Sequence, residues 1–361
     1  MNLMKVIYFF GWTILPIFYP FGGQAQGVHL TSGTYWVAKG SPHLILNNGS
    51  LINDGNFIAD SSTVIITSDA STIGASIGGA KPVSFYNLTI GKSEKGFQLS
   101  NDAFITGKIT LDSGNLELNG YTLDLGSTGS IEGERNEARI TGTQGGTIRV
   151  TALLNGPNAV NPGNIGVEIS SEGNLGSTVI IRGHTPLTGS DGQTGILRWF
   201  DIAGEANTKA LVSLRFLYLD GELAGKDKNA LTLFSGNEMD NTWTSWGKDA
   251  ADPAANWISK NNIDQLHRFT LAVGHAGGIM PSLKIYPNPA HDEITLQLIS
   301  SQEGKGVIYL YDQSGNLLEE KTAYWHEGVN TMDWNIGRYA TGIYYLSTGR
   351  TNGSTLKILK Q

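Results

Sequence analysis

Apolar and polar positions alternate along most of this chain in short runs that Gly, Asn or Asp bring to an end. The clearest stretch is 108–126, where successive runs each carry two apolar side chains separated by one polar position. Because neighbouring side chains of a strand point to opposite faces, each apolar pair lies on one face of its strand. These pairs are Ile109 and Leu111, Leu116 and Leu118, and Leu123 and Leu125. The pattern predicts an all-β protein.

Two architectures fit the alternating runs of residues 27–150. The Asn-Gly, Asp-Gly and Ser-Gly steps between runs suit turns that need a positive φ. Hairpins closed by such turns would give an antiparallel sandwich, whereas short rungs of near-equal spacing would give a parallel β-helix. The spacing is nearly equal and long connections are missing, which favours a β-solenoid over residues 27–150.

The strand pattern changes twice further along the chain. Residues 153–274 carry longer apolar runs with turns roughly ten residues apart, which predicts a β-sandwich. A Gly-containing linker follows at 275–282, and residues 283–361 hold seven short strand patterns. This last segment is expected to form a second, compact β-sandwich.

The N-terminus has the pattern of a cleaved signal peptide over residues 1–25. Lys5 precedes an apolar run over 6–21 that Pro16 and Pro20 interrupt, and Ala25 supplies a small residue for cleavage. The run is short for a bilayer and contains two prolines, so a retained anchor is the weaker interpretation. No membrane-spanning segment is expected after removal of this signal.

Composition narrows the choice of partners. The formal net charge of −7 disfavours nucleic acid, because phosphate binding needs a basic surface. The absence of Cys excludes disulfides, a thiolate nucleophile and Cys-ligated metal ions. The 47 Gly residues in 361 agree with many short strands joined by tight turns.

Residues 283–361 also contain several motifs in a fixed order. They are the opening Tyr286-Pro287-Asn288-Pro289, the strand and turn at 307–317, the strand at 339–346 with Gly342 and Tyr344, and the terminal strand with Lys357 and Lys360. Together they resemble the type A C-terminal sorting domain of the type IX (Por) secretion system of Bacteroidetes. Residues 116–126 are similar to stretches of β-helical surface proteins from the same bacteria.

This resemblance implies a fold and a destination for the protein. It implies an immunoglobulin-like sandwich at 283–361 and export across the outer membrane to the cell surface or the medium. The implied partners are the type IX machinery, a sortase-like protease that removes the domain, and cell-surface lipopolysaccharide as an anchor.

The sequence offers no strong catalytic or metal-binding motif. The seven His residues form no i,i+4 pair and no His-x-His, and no nucleophile elbow, P-loop or dinucleotide fingerprint is present. We therefore predict no catalytic residue, no metal and no cofactor.

Acidic residues near the solenoid turns are the one candidate for catalysis. Asp112, Glu117 and Asp124 lie near the turns of consecutive runs, and Glu132, Glu134 and Arg135 follow close by. Polysaccharide lyases and hydrolases on β-helices use two or three such acids in one groove. Glu117 alternates with two Leu residues and should point outward, which favours a solvated face over a catalytic groove.

Tryptophans are the candidate glycan contacts. Trp246 and Trp257 follow Trp243 closely, and exposed aromatic rings can stack on sugars. Trp243 lies on a predicted strand and is expected in the core, whereas Trp246 precedes a loop.

These observations favour a non-enzymatic protein of the cell surface or medium, exported by type IX secretion, that acts as an adhesin or envelope structural protein. The alternatives are a polysaccharide-active β-helix enzyme, a lyase or hydrolase, and a carbohydrate-binding module.

Overall fold

A computed structural model describes most of the chain after the predicted signal. The described residues are 6–8, 27–68, 75–93, 95–188, 194–205, 211–237, 242–263, 265–273, 282–300, 304–326, 328–347 and 355–361. The chain divides into two compact units, 1–243 with 248–272, and 273–361 with 244–247. No helix in the described ranges is long and apolar enough to cross a membrane.

The described residues form strands and two single 3-10 turns, Pro162–Asn164 and Asp220–Glu222. The strands are β1 (Val6–Tyr8), β2 (Gly27–Leu30), β3 (Tyr35–Val37), β4 (His43–Asn47), β5 (Ser50–Asn53), β6 (Asn56–Ile58), β7 (Thr63–Thr67), β8 (Ala75–Gly78), β9 (Val83–Ile90), β10 (Phe97–Leu99), β11 (Ala103–Leu111), β12 (Leu116–Glu117), β13 (Thr122–Asp124), β14 (Ser130–Glu132), β15 (Ile140–Thr141), β16 (Thr147–Asn155), β17 (Val167–Ser171), β18 (Asn174–Gly183), β19 (Trp199–Gly204), β20 (Val212–Leu217), β21 (Leu231–Asn237), β22 (Thr242–Gly247), β23 (Ala250–Asp252), β24 (Trp257–Ile263), β25 (Arg268–Val273), β26 (Ser282–Tyr286), β27 (Glu293–Ser300), β28 (Gly304–Tyr311), β29 (Leu317–Trp325), β30 (Gly328–Asn335), β31 (Gly342–Ser347) and β32 (Thr355–Lys360). Of the predicted signal, only β1 is described, and it runs parallel to β3.

The first unit begins as a parallel β-solenoid, so the predicted solenoid is confirmed. One sheet stacks β2, β5, β8, β10, β12 and β15, and a second stacks β4, β7, β9, β11, β13 and β16, all in parallel. Along the first sheet the chain advances by 23, 26, 22, 19 and 24 residues from rung to rung. The paired residues are Gly27 and Ser50, Leu51 and Ile77, Ala75 and Phe97, Phe97 and Leu116, and Leu116 and Ile140.

Inward-facing apolar side chains form the solenoid core. Each residue of the three predicted pairs, at 109 and 111, 116 and 118, and 123 and 125, is fully buried. The alternation therefore identified the inner face correctly, because side chains of a strand alternate across it.

Asparagines stabilise the solenoid turns by bonding to neighbouring coils. Asn101 donates from its amide to the carbonyl of Gly79 (2.9 Å), and Asn119 donates to the carbonyl of Leu99 (3.1 Å). Asn119 and Gly120 both have left-handed backbones, with φ of 52° and 86°. The Asn-Gly step thus supplies the backbone freedom of the turn and a bond between coils.

The burial of the inner face gives a direct test with a matched control. Ile66 on β7 is fully buried, whereas Ile45 on the adjacent β4 is 64% exposed. We expect Ile66→Val to lower the free energy of unfolding by about 0.5–1.5 kcal/mol, because one buried methylene is lost. Ile45→Val should change it by less than about 0.5 kcal/mol. Urea unfolding of both variants measures the difference, and equal effects would contradict the assigned face.

The solenoid continues into a sandwich without a break in the sheet. β16 pairs in parallel with β13 on one side and antiparallel with β18 on the other. The sheet then continues through β19, β25 and β21, and a four-stranded sheet of β17, β20, β24 and β23 packs against it, with Phe200 and Phe216 in edge contact at 4.8 Å. The boundary predicted between 150 and 153 falls inside β16.

The second unit is a seven-stranded sandwich. Its sheets are β26-β27-β30 and β29-β28-β31-β32, both antiparallel. The core consists of Ala290, Ile294, Leu296, Leu298, Ile308, Leu310, Ala323, Trp325, Trp334, Ile336, Leu346 and Ile358. These seven strands agree with the seven predicted for 283–361; of the predicted linker 275–282, only Ser282 is described.

Candidate functional site

The C-terminal strand β32 is held along both edges. On one side it pairs antiparallel with β31, from Gly342 opposite Lys360 to Ser347 opposite Thr355. On the other side the backbone of Ala290 donates to the carbonyl of Leu359 and accepts from the amide of Gln361, both at 2.8 Å. The last strand is therefore hydrogen-bonded on both sides, although it is the edge strand of its sheet.

Asn288 completes this second edge with its side chain. Its amide donates to the carbonyl of Lys357 (2.8 Å), and its side-chain oxygen accepts from the amide of Leu359 (2.9 Å). Pro287 and Pro289 flank it, and the peptide bonds before both are cis. The Tyr286–Pro289 motif thus presents one amide as a substitute for a neighbouring strand.

Lys360 places its charge inside the unit. Its side chain is only 5% exposed, and its ammonium donates to the carbonyl of His291 (2.6 Å) and lies 3.7 Å from the carboxylate of Asp292. Lys357, on the same strand, points to solvent. The two lysines of the predicted motif therefore have different surroundings, and Lys360 contributes to docking of the strand.

A second group of contacts centres on Glu319. It accepts hydrogen bonds from the indole of Trp334 (3.0 Å), the hydroxyl of Tyr339 (3.0 Å) and Arg338 (2.7 Å). Burial alone would raise the pKa of Glu319, but these donors hold it below its usual range. Tyr344 packs against the ring of Tyr339 at 5.7 Å. Of the predicted motif, Asn288 lies against β32, Lys360 is the last residue of β32, and Tyr344 lies in this second group.

The amide of Asn288 can be tested locally. We expect Asn288→Ala to speed hydrogen exchange at the Leu359 amide by about tenfold, because loss of one hydrogen bond of about 1–1.5 kcal/mol frees that donor. Exchange mass spectrometry of the C-terminal peptide measures this. Gln313→Ala, at an exposed turn position of the same unit, serves as the control and should leave that peptide unchanged. Unchanged exchange in Asn288→Ala would show that the amide does not hold the strand.

The solenoid acids each have a partner of their own. Glu117 on β12 accepts from the hydroxyl of Thr141 (2.9 Å) and the amide of Asn119 (3.2 Å). Burial raises the pKa of Glu117, but backbone and hydroxyl donors lower it by more, so the pKa is below its usual value. Asp124 and Glu132 lie in the other sheet, paired with Arg149 and Lys108 at 3.0 Å.

Two of the three tryptophan side chains, those of Trp246 and Trp257, are described. Trp257 is half-buried, and the guanidinium of Arg215 lies 4.6 Å from its ring centre. Trp246 is half-buried, and the side chain of Trp243 lies outside the described residues. Arg215 covers one face of Trp257, so that face is not free for stacking on a sugar.

A buried ionic cluster connects the solenoid to the sandwich. Glu134, in the turn after β14, accepts from both terminal nitrogens of Arg182, one at 2.8 Å, and from Arg198 at 3.3 Å. Arg198 also donates to Glu222 at 2.8 Å. The side chains of Arg182 and Arg198 are 0% and 3% exposed. The cluster contains two acids and two guanidinium groups, so its charges balance.

Burial and charge shift the pKa values within this cluster. Burial would raise the pKa of Glu134, but Arg182 and Arg198 hold it far below its usual range. Burial, and then Arg182, lower the pKa of His184, whose ring nitrogen accepts from Arg182 at 3.1 Å. His184 is therefore neutral at neutral pH.

The interior position of Glu134 is not predicted by the sequence around it. The available signal was Arg182, which shares the inward-facing phase of β18 with the buried Thr178 and Ile180. A charged residue at an inward position predicts a buried partner of opposite charge.

No three His, Asp or Glu side chains in the described ranges are grouped so as to hold a metal ion.

Three comparisons bear on this arrangement. Residues 284–361 match the family described as secretion system C-terminal sorting domain. A solved structure of dimeric latent PorU from Porphyromonas gingivalis is similar over 58% of this chain and 21% of that chain, at 12% identity and a TM-score of 0.20. This chain thus spans about a fifth of that protein's length. No curated protein matched.

Proposed function

Because residues 284–361 are a type IX secretion sorting domain, which directs export to the cell surface or extracellular space, we propose that the exported unit is a non-enzymatic adhesin or envelope structural protein. Its partners in this proposal are glycans or the surfaces of host and neighbouring cells. The type IX machinery is the partner that the sorting domain implies.

One observation carries the proposal. A single sheet extends from β4 through the solenoid and across β16 to β21 in the sandwich. Such a continuous sheet makes a stiff, extended surface and presents many outward side chains in register. An attachment protein needs that kind of surface, whereas an enzyme needs a pocket with converging groups.

The solenoid acids support the same proposal. Glu117 is engaged by Thr141 and backbone amides, Asp124 by Arg149, and Glu132 by Lys108. Glu117 lies in a different sheet from the other two. Acids with separate partners serve the cohesion of the coils, while a polysaccharide-active site would bring two of them to one substrate.

Processing of the exported chain belongs to the proposal as well. A sortase-like protease would cut in or near 275–282, before the first strand of the sorting domain. Lipopolysaccharide would then anchor the remaining unit, or the unit would be released. Mass spectrometry of the surface form would give the cut, and an intact C-terminus on the exported protein would contradict it.

The experiment is incubation of the purified chain with polysaccharides and with whole cells. We expect retention on at least one surface without release of reducing or unsaturated ends. Turnover would overturn the proposal in favour of a lyase or hydrolase, and Glu117→Ala, Asp124→Ala and Glu132→Ala would then locate its acids. Failure to be retained on any surface would remove the adhesin role.

A further inference from the structure

A cleft with a volume of ≈ 1050 Å³ lies at one end of the β17-β20-β24 sheet. The loop after β16, the end of β17, the start of β20 and the end of β24 line it. Its main side chains are Asn158, Ser170, Glu172, Leu211, Ser213 and Asn262. None of these residues belongs to the sorting domain or to the ionic cluster.

A bulge in the sheet shapes this cleft. Pairing of β20 with β24 runs from Val212 opposite Ile263 to Leu214 opposite Lys260, with a register shift between them. Asn262 lies in the bulged segment with a left-handed φ of 57°. Bulges redirect side chains out of the regular ladder, and this one lies in the segment of β24 that contributes Asn262 to the cleft.

Some side chains of the lining are hydrogen-bonded within the protein, and others are not. The hydroxyl of Ser171 donates to the carbonyl of Leu211 (3.1 Å), and the hydroxyl of Ser170 accepts from the amide of Ala159 (2.8 Å). These bonds fix the walls. The side chains of Asn158, Glu172, Ser213 and Asn262 make no hydrogen bond within the described ranges. Two amides, a carboxylate and a hydroxyl along this cleft are therefore available to a ligand.

The described residues of the lining suit two classes of ligand poorly. They include no Lys, Arg or His, so they offer an anionic group none of the charged donors that anion sites use. They include one carboxylate, Glu172, whereas calcium takes about six to eight oxygen ligands, mainly from several acids and carbonyls.

We propose that this cleft binds a neutral oligosaccharide. Sugar hydroxyls both donate and accept, and two amides, a hydroxyl and a carboxylate offer both functions. Leu211 is 58% exposed and offers an apolar contact for the carbon face of a sugar ring. This inference deepens the proposed attachment function, on which it rests, by giving that function a ligand class and a site.

The neighbouring surface allows a chain longer than one sugar. Glu168 and Arg215 lie two residues beyond Ser170 and Ser213 on the same strands and form an ion pair at 3.0 Å. Trp257 lies opposite Leu217, two residues further along β20. At about 3.3 Å per residue, the row from Ser213 to Leu217 covers about 13 Å, which suits an oligosaccharide.

The test is calorimetric titration of the full chain with cello-, xylo-, malto-, laminari- and mannohexaose, with hexagalacturonate as the anionic comparison. We expect saturable binding of at least one neutral hexaose and none of hexagalacturonate. Ser213→Trp fills the cleft and should abolish that binding. Glu172→Gln keeps the shape and should weaken binding at least about tenfold, the effect of losing a hydrogen bond to a charged group.

Ser84→Trp, at an exposed position of the solenoid, is the matched control and should bind like the unmodified chain. Binding of none of the neutral hexaoses, or unchanged binding in both cleft variants, would overturn the inference. If Ser213→Trp is still retained on the polysaccharide or cell surface that holds the unmodified chain, the cleft is not the site, but attachment itself stands. If no chain is retained on any surface, the attachment function fails instead.

Discussion

Replacing Ile358 with Asp is expected to abolish export of this protein. Ile358 is fully buried in the core of the sorting domain and lies on β32, the last strand. A carboxylate at this position would be buried without a partner, at a cost of several kcal/mol, on the order of the stability of such a domain. The strand would then detach from both β31 and Asn288, and the export signal would lose its folded form.

Fractionation of a host with a type IX system measures this effect, with the periplasmic and surface forms quantified separately. Ile358→Val retains most of the buried volume and is expected to be exported. Lys357→Ala is a second control, because it alters an exposed side chain of the same strand and leaves the backbone pairing of that strand intact. Export of Ile358→Asp at the normal level would mean that the machinery does not require the folded sandwich.

Glu134→Gln is expected to lower the free energy of unfolding of the first unit by about 3–5 kcal/mol. The change leaves Arg182, which is 0% exposed, without a compensating negative charge, and removal of one partner of a buried ion pair is costly. Glu132→Gln is the matched control two residues away. Its pair with Lys108 is about half exposed, so its loss should cost less than about 1 kcal/mol. Urea unfolding at pH 7 distinguishes the two variants.

The difference in stability between the unmodified chain and Glu134→Gln is expected to depend on pH. The pKa of Glu134 is lowered in the folded protein, so its contribution is complete above the unfolded pKa of about 4.3 and declines as the pH falls below it. The difference in stability between the unmodified chain and Glu134→Gln should therefore narrow below about pH 4. A difference that stays constant from pH 7 to pH 3 would contradict the role of this carboxylate.

The sequence predicted the solenoid well because its signal is local. Alternation at 108–126 identifies the inner face directly, and the spacing of the runs distinguishes stacked rungs from hairpins. The register between neighbouring coils depends on residues that are far apart in the sequence. The advance per rung varies from 19 residues, between Phe97 and Leu116, to 26, between Leu51 and Ile77. No single period could therefore count the coils.

The junction between solenoid and sandwich was beyond sequence reasoning. β16 has one apolar alternation, but that pattern does not say whether each neighbouring strand is parallel or antiparallel. The ionic cluster depends on the same information, because Glu134 and Arg182 are 48 residues apart and meet only through the pairing of β16 with β18. A charged residue at an inward-facing position predicts a buried partner of opposite charge, but it does not identify which residue that partner is.

The sorting domain shows the opposite case. Its ordered motifs identified the family and all seven strands, yet they gave no physical reason for Asn288. The fold supplies that reason, because a side-chain amide has the same donor and acceptor as a backbone peptide and can bond to β32 at Lys357 and Leu359.

The length of chain stored in each coil has a mechanical consequence. In the folded stack each rung adds only about 4.8 Å to the length of the solenoid. A coil of 19 to 26 residues pulled free would extend to roughly 60–90 Å at 3.3–3.6 Å per residue. Force applied at the N-terminal end of the solenoid would therefore be relieved by a many-fold lengthening of each coil that detaches.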